Sequence, residues 1–225
     1  MGRTIVIGDI HGCYDELVSL LERLGLAADD RVVAVGDLIV KGQKNAEVLD
    51  LFGSDERFSS VIGNHDLAIL KFWRGEVAKL KKSQERACLE LAPEQERYTA
   101  YLSSLPFLID LGTHAVVHAG VRPGIKLDEQ SPEDLIELRT LGPDRTSRVG
   151  TPWYDVYDGE KVILFGHWPS SMPRKSSHAI GLDTGCVYGN QLTAYILETD
   201  QLIQVQANRV YDAPRPRFGQ NSAED

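Results

Sequence analysis

The chain is poor in cysteine: Cys13, Cys88 and Cys186 are its only three, with no CxxC pair. An odd, scattered set excludes a disulfide framework and fits a reducing compartment, so the cytoplasm is the expected location. No run of about 18 apolar residues occurs, which leaves no candidate membrane-spanning helix. An apolar segment, Thr4-Ile5-Val6-Ile7, starts at once and leaves no room for a signal peptide. Basic residues are outnumbered, 24 against 33 acidic, for a net charge of −9. That balance argues against DNA and against broad nucleic-acid binding, which require a basic surface. No internal repeat is visible. What remains is an ordinary globular composition, 42% hydrophobic and 25% charged over 225 residues, long enough for one sizeable core.

Against this background six short words stand in order: Gly8-Asp9-Ile10-His11-Gly12, Gly36-Asp37, Lys41-Gly42, Gly63-Asn64-His65-Asp66, His118-Ala119-Gly120 and Gly166-His167-Trp168. Each is read as following an apolar run that forms a strand. Thr4–Gly8, Arg31–Gly36 and Ser60–Gly63 read as three buried strands. Helices follow them, carrying Leu17, Leu20, Leu21 and Leu24 with Gly25 as the stop, then Val48, Leu49 and Phe52, then Leu67 and Leu70 with Phe72 as a further candidate. Three strand–loop–helix units in series predict parallel βαβ organisation, whose sites form at the carboxyl ends of the strands.

Residues 73–105 are polar and helical in propensity, divided by Pro93, and read as a helical insertion. Later strands are expected at Phe107–Leu111, Ala115–Val117, Lys161–Phe165, His178–Leu182, Leu192–Glu198 and Leu202–Gln206, forming a second, mixed or antiparallel sheet packed on the first. Residues 123–158 read mainly as loops, with one short helix at Pro132–Leu138 started by Ser131. The expected organisation is one domain over residues 1–213 with a disordered tail at 214–225.

The words supply carboxylates (Asp9, Asp37), an amide oxygen (Asn64) and imidazoles (His11, His118, His167), donors suited to Mn, Fe or Zn. Asp37 is well placed to bridge two ions, and paired ions about 3.5–4 Å apart can clamp the attacking and leaving oxygens of a phosphate. His65 is not needed as a ligand and is the natural proton donor to a leaving group. Any one Gly-Asp after a strand is more often a plain turn, and any one His a packed core residue; it is the ordered set that carries the reading.

The motif set resembles the calcineurin-like metallophosphoesterases, in the phosphoprotein-phosphatase branch. Thr151-Pro152-Trp153-Tyr154, Phe165-Gly166-His167-Trp168 and the stretch Leu182-Asp183-Thr184-Gly185-Cys186-Val187-Tyr188-Gly189-Asn190-Gln191-Leu192-Thr193 are similar to the symmetrical bis(5'-nucleosyl)-tetraphosphatases (ApaH-like enzymes). The resemblance implies an α/β fold: two packed mixed β-sheets flanked by helices, the metallophosphoesterase α-β-β-α sandwich. It implies two divalent metal ions, manganese foremost, with iron, zinc, cobalt and nickel as alternatives. One ion would take Asp9, His11 and Asp37; the other Asp37, Asn64, His118 and His167. His65 would be the general acid, and a metal-bridging hydroxide would attack phosphorus in line.

Protein serine/threonine phosphatases of this branch carry Asp-Arg where this chain has Val40-Lys41. Val40 can neither orient His65 nor grip phosphate, and Lys41 keeps the charge without the planar fork. This departure favours symmetrical hydrolysis of a dinucleoside polyphosphate, diadenosine tetraphosphate to ADP. A serine/threonine/tyrosine protein phosphatase acting on phosphoproteins, or an enzyme trimming capped or triphosphorylated RNA ends, are the alternatives. Arg122 is a candidate phosphate grip, set against a solvated charge. Arg139 lies roughly where the family has a phosphate-binding arginine between its last two histidines and is favoured over Arg145 and Arg148. Trp168 could stack on a nucleobase or pack beneath the metal loop. The Lys71–Arg86 segment holds six basic residues and two acidic ones. Its Lys79, Lys81, Lys82 and Arg86 could cradle a distal phosphate, although a solvated helix face is the commoner role.

Overall fold

The computed structural model describes residues 2–213, so the tail expected at 214–225 lies outside the described residues. The first half alternates strand and helix: β1 (Thr4–Ile7), α1 (Tyr14–Leu24), β2 (Arg31–Ala34), α2 (Asn45–Ser54), β3 (Phe58–Ser60) and α3 (Asn64–Trp73). Two further helices follow in the polar stretch, α4 (Lys82–Leu91) and α5 (Gln95–Ser104). The second half is β-rich: β4 (Leu108–Asp110), β5 (His114–Val117), α6 (Pro132–Glu137), β6 (Thr140–Leu141), β7 (Thr151–Pro152), α7 (Trp153–Val156), β8 (Val162–Phe165), β9 (Arg174–Lys175), β10 (Ala179–Gly181), β11 (Gln191–Ile196) and β12 (Gln201–Gln206).

Two five-stranded mixed sheets result, ordered β12-β11-β1-β2-β3 and β4-β5-β8-β10-β9. Strands β1, β2 and β3 are parallel, with β3 at one edge, as are β5, β8 and β10; antiparallel partners extend the first sheet beyond β1 and flank the second on both sides. Side chains alternate across each strand. Ile5 and Ile7 face a helical layer with Leu17, Leu20, Val48 and Ile69, whereas Val6, Val33 and Val35 pack against Val116, Leu164 and Ile180 of the other sheet. On the far side of the second sheet Val117, Ile163 and Phe165 pack on Trp153 and Leu135. The layers therefore run helix, sheet, sheet, helix. Gly25 ends α1 at φ 55°, its N–H bonded to the Leu21 and Glu22 carbonyls, the left-handed stop that a glycine takes without steric cost.

Four expectations are corrected. The third strand ends at Ser60 rather than running from Ser60 to Gly63, because Ile62 N–H leaves the ladder to bond Pro106 O at 2.9 Å. The terminal hairpin β11–β12 joins the first sheet, antiparallel to β1 with Ile5 opposite Ile196, rather than the second. Its alternation was readable; which free edge it would pair with was not. Residues 123–158 hold, besides the predicted helix, the β6–β7 pair and α7, which buries Trp153 fully. Phe72 is 37% exposed, and Ile69 fills the core from α3 instead.

Candidate metal centre

The site forms where the central parallel strands end. The turn after β1 carries Asp9 and His11, that after β2 carries Asp37 and Lys41, and Asn64 and His65 open α3 after β3. His118 follows β5, His167 follows β8 and Asp183 follows β10. The two sheets thus present their carboxyl edges side by side. Close approach is enforced by glycines: a Cβ on Gly166 would fall 1.9 Å from Asp9 Oδ1, and one on Gly63 2.1 Å from Asp37 N. Backbone strain gathers here as well. Among the described residues six non-glycine positions have positive φ, and five of them are His11, Asp37, Val40, Lys41 and His167. For a β-branched residue such as Val40, at φ 76°, this is a costly conformation. It persists because the loops are tied together.

Asp66, fully buried, accepts N–H bonds from Leu38, Ile39 and Gly63 (3.3, 3.2 and 3.0 Å) and so joins the second turn to the third. Asp37 Oδ1 accepts the His65 N–H at 2.9 Å, and Asp9 accepts the His167 N–H at 3.1–3.2 Å. The imidazoles are oriented from behind. His118 Nδ1 donates to Val35 O at 2.8 Å and His11 Nδ1 to Ile39 O at 3.1 Å. A carbonyl can only accept, so in each ring Nε2 keeps its lone pair pointing into the site.

Those lone pairs meet other acceptors. His118 Nε2 lies 3.0 Å from Asn64 Oδ1 and 3.5 Å from Asp37 Oδ1, while His167 Nδ1 lies 3.1 Å from the same Asn64 oxygen. His11 Nε2 lies 3.4 Å from Asp37 Oδ2 and 4.0 Å from Asp9 Oδ2. Asp9, Asp37 and His118 each place a ligand atom within 4.8 Å of the others. Converging carboxylate, amide and imidazole donors fit divalent cations. The electrostatics agree. Burial raises the Asp9 carboxyl well above its usual range, helped by Asp183 and Asp37, and pushes Asp37 up to about 6. Asp66 rises to about 7 and Asp183 also rises, again chiefly through burial. The same burial lowers His11 and His167 and brings His118 down to about 4, so these rings stay neutral at pH 7, as ligands must.

Lys41 is the cation nearest the cage: its ammonium donates to His11 Nε2 at 2.8 Å and sits 5.3 Å from the Tyr188 ring centre. His65 is held neutral, its pKa lowered to about 2 by burial and then by Lys41 and Lys81, and its Nδ1 is buried without a partner. The cage opens into a cavity of about 900 Å³ lined by Asp9, His11, Asp37, Asn64, His65 and His167, with Lys41, Lys81, Arg139, Arg148 and Arg174 as its cations.

Of the sequence candidates for substrate contact, Lys41 and Arg139 line this cavity, and Arg139 keeps a buried Nε without a partner. Arg122 and Trp168 are not among its lining residues. The Arg122 guanidinium is engaged by Asp134, Nε to Oδ2 at 2.6 Å and Nη2 to Oδ1 at 3.1 Å. Trp168 packs beside Tyr154 and beneath the Arg174 guanidinium, 5.0 Å from its ring centre. Sequence reasoning missed Arg174 and Tyr188 as cavity residues, and ranked Arg148 below Arg139 although both line the cavity. Asp183 and Tyr188 lay inside a word already singled out, but no residue pattern marked Arg174, which arrives from the edge strand β9.

The family model described as calcineurin-like phosphoesterase matches residues 2–201, and the chain belongs to that family. It is a metallophosphoesterase, a phosphohydrolase of a family that works with a dinuclear divalent metal centre. The chain is 29% identical to an asymmetrical bis(5'-nucleosyl)-tetraphosphatase, PrpE, of Bacillus velezensis, over 94% of this chain and 96% of that one. It is equally 29% identical to a symmetrical bis(5'-nucleosyl)-tetraphosphatase of Vibrio campbellii, over 91% and 98%. A solved structure described as a "putative diadenosine tetraphosphatase" superposes with a TM-score of 0.77 at 32% identity, covering 92% of this chain and 94% of that one. Among the described residues no helix is long and apolar enough to cross a membrane.

Proposed function

We propose that the protein hydrolyses dinucleoside polyphosphates, cleaving diadenosine tetraphosphate symmetrically to two molecules of ADP. The observation that carries this reading is the spread of cations along the cavity. Lys41 stands at the cage, Lys81 is near enough to act on His65, and Arg174 is near enough to act on Asp183, a different wall residue. A lone phosphate monoester needs positive charge only at the reacting centre; a chain of phosphates passing through the centre needs it on both flanks.

In this proposal Asp9, His11 and Asp37 hold one ion, and Asp37, Asn64, His118 and His167 hold the other. Divalent ions, when bound, supply solvent activation and neutralise charge at phosphorus. The Lys41 ammonium and an ion compete for the same His11 lone pair, so ion binding frees Lys41 to face phosphate. Arg139 presents its guanidinium to the same cavity. His65 is the proton donor to the departing oxygen. Burial and neighbouring cations keep it neutral in the free protein; an arriving polyanion reverses that field and draws a proton onto the ring. Val40 leaves His65 without a carboxylate partner of the protein-phosphatase kind. This also supports a reading in which the substrate's own phosphates govern the histidine.

The test is product analysis. Manganese-loaded protein is incubated with diadenosine tetraphosphate and the nucleotides are separated by anion exchange. ADP alone is the expected outcome. ATP plus AMP would replace symmetrical with asymmetrical cleavage, the specificity in the name of the Bacillus velezensis relative. An intact dinucleotide beside rapid hydrolysis of a phosphopeptide would reject the substrate class.

A further inference from the structure

A second recess, of about 410 Å³, adjoins the catalytic cavity and shares Asn64 and Lys81 with it. One wall is a single face of α3: Asn64, Leu67, Ala68 and Lys71 follow the i, i+3, i+4, i+7 spacing. Asn64 sits at the cage, and at 1.5 Å per residue Lys71 lies roughly 10 Å further along the axis, a reach suited to a nucleoside diphosphate. The opposite wall is the segment between α3 and α4, with Leu80 adding to an apolar floor that Ile136 of α6 completes. Lys71, Lys79 and Lys81 rim the recess, and none of the three makes an ion pair among the described residues. Lys81 is fixed between the two spaces because its N–H bonds the buried Gln84 side chain at 2.9 Å, capping α4. Glu137, also on the wall, offers a carboxylate to hydroxyl donors.

Three uncompensated ammonium groups around an apolar floor are an unusual feature in a chain of net charge −9. A volume above about 300 Å³ is enough for a small ligand. Phosphates suit the lysines, a nucleobase suits the floor, and ribose hydroxyls suit Glu137. The recess meets the catalytic cavity at Asn64 and Lys81, and Asn64 is the chain neighbour of His65, which lines that cavity. We propose that this recess binds the leaving half of the substrate, a nucleoside diphosphate, so that His65 protonates an oxygen already held by Lys81. The assignment rests on the dinucleotide reading above and adds which half goes where.

The test is calorimetric titration of the manganese-loaded protein with ADP, comparing wild type with the exposed double variant Lys71→Ala/Lys79→Ala. Loss of two charge-assisted contacts predicts roughly tenfold weaker binding. ADP affinity unchanged in the variant, or no ADP binding by the wild type, would overturn the recess even if diadenosine tetraphosphate is cleaved. Weakened ADP binding supports it even if that dinucleotide proves not to be a substrate, so the two proposals fail separately.

Discussion

The strand pair β1–β2 has aspartates at both ends, Asp30 before β2, and Asp9 and Asp37 after β1 and β2, and the two ends are opposites. At the amino end Asp30 is closed off by Arg3: it accepts the Arg3 N–H at 2.7 Å, the Ala27 N–H at 2.9 Å and the Arg3 guanidinium. Those bonds pull its carboxyl well below the usual range. At the carboxyl end Asp9 and Asp37 are equally buried, yet burial pushes both upward, with the charges of Asp183 and Asp37 adding to it at Asp9. One end of the sheet satisfies its own charge. The other leaves acceptors facing acceptors and requires cations from outside. The same pair of strands is therefore a clamp at one end and a binding site at the other.

The strongest way to break this contrast is Asp37→Ala. As the proposed shared ligand of both ions, Asp37 should on removal cost roughly a thousandfold or more in kcat/KM and lower the bound metal measured by atomic absorption. Retained metal and activity would contradict the bridging assignment. Next comes His65→Ala, expected to reduce turnover about 10²- to 10⁴-fold with metal content near normal. The loss should shrink on p-nitrophenyl phosphate, whose leaving group needs little protonation; an equal loss on both substrates would remove the acid role.

A smaller effect separates the two ends through pH. Carboxyls raised in the folded state stabilise it below their unfolded pKa of about 4 and lose that contribution as pH climbs through their folded values, about 6 for Asp37 and about 7 for Asp66. Histidines lowered in the fold act in the opposite sense, costing stability as pH falls below about 6.5. Manganese needs charged carboxylates and neutral imidazoles, so it should raise Tm more at pH 7.5 than at pH 5 in calorimetry. An equal rise at both would place the metal elsewhere.

The smallest change belongs to the amino end. Asp30→Ala should lower stability by about 2 kcal/mol, discounted because Arg3 is about a third exposed. In urea melts this deficit should be full at pH 7, begin to fade as pH falls below the unfolded carboxyl value, and vanish only as pH falls through the lower folded one. The sign follows from a depressed carboxyl, whose contribution exists only while it is ionised. Activity of the folded fraction should be unaffected; a loss there would mean the two ends communicate.

Much of the arrangement was legible because it is local. Alternating Ile5, Val6 and Ile7 marks a strand buried on both faces, and Gly25 marks a helix stop. The motif words mark turns at strand ends, where a βαβ crossover must bring them to one edge. Ser131 was readable as a cap, and its side chain does accept the Asp134 N–H at 3.1 Å. What escaped was decided by partners distant in sequence. Arg122 and Arg139 look alike in the chain, but Asp134 takes the first, while the second keeps an unpartnered Nε beside the cavity. Trp168 reads as a base-stacking platform until Arg174 covers it.

The chain by itself determined the order of strands and turns and the donor atoms each turn delivers, because these follow from side-chain periodicity and from residue chemistry at fixed spacing. Only the tertiary structure decided which charges are neutralised and which are left open. That outcome depends on burial and on through-space partners such as Arg3 with Asp30, or Asn64 between His118 and His167, which no stretch of sequence contains.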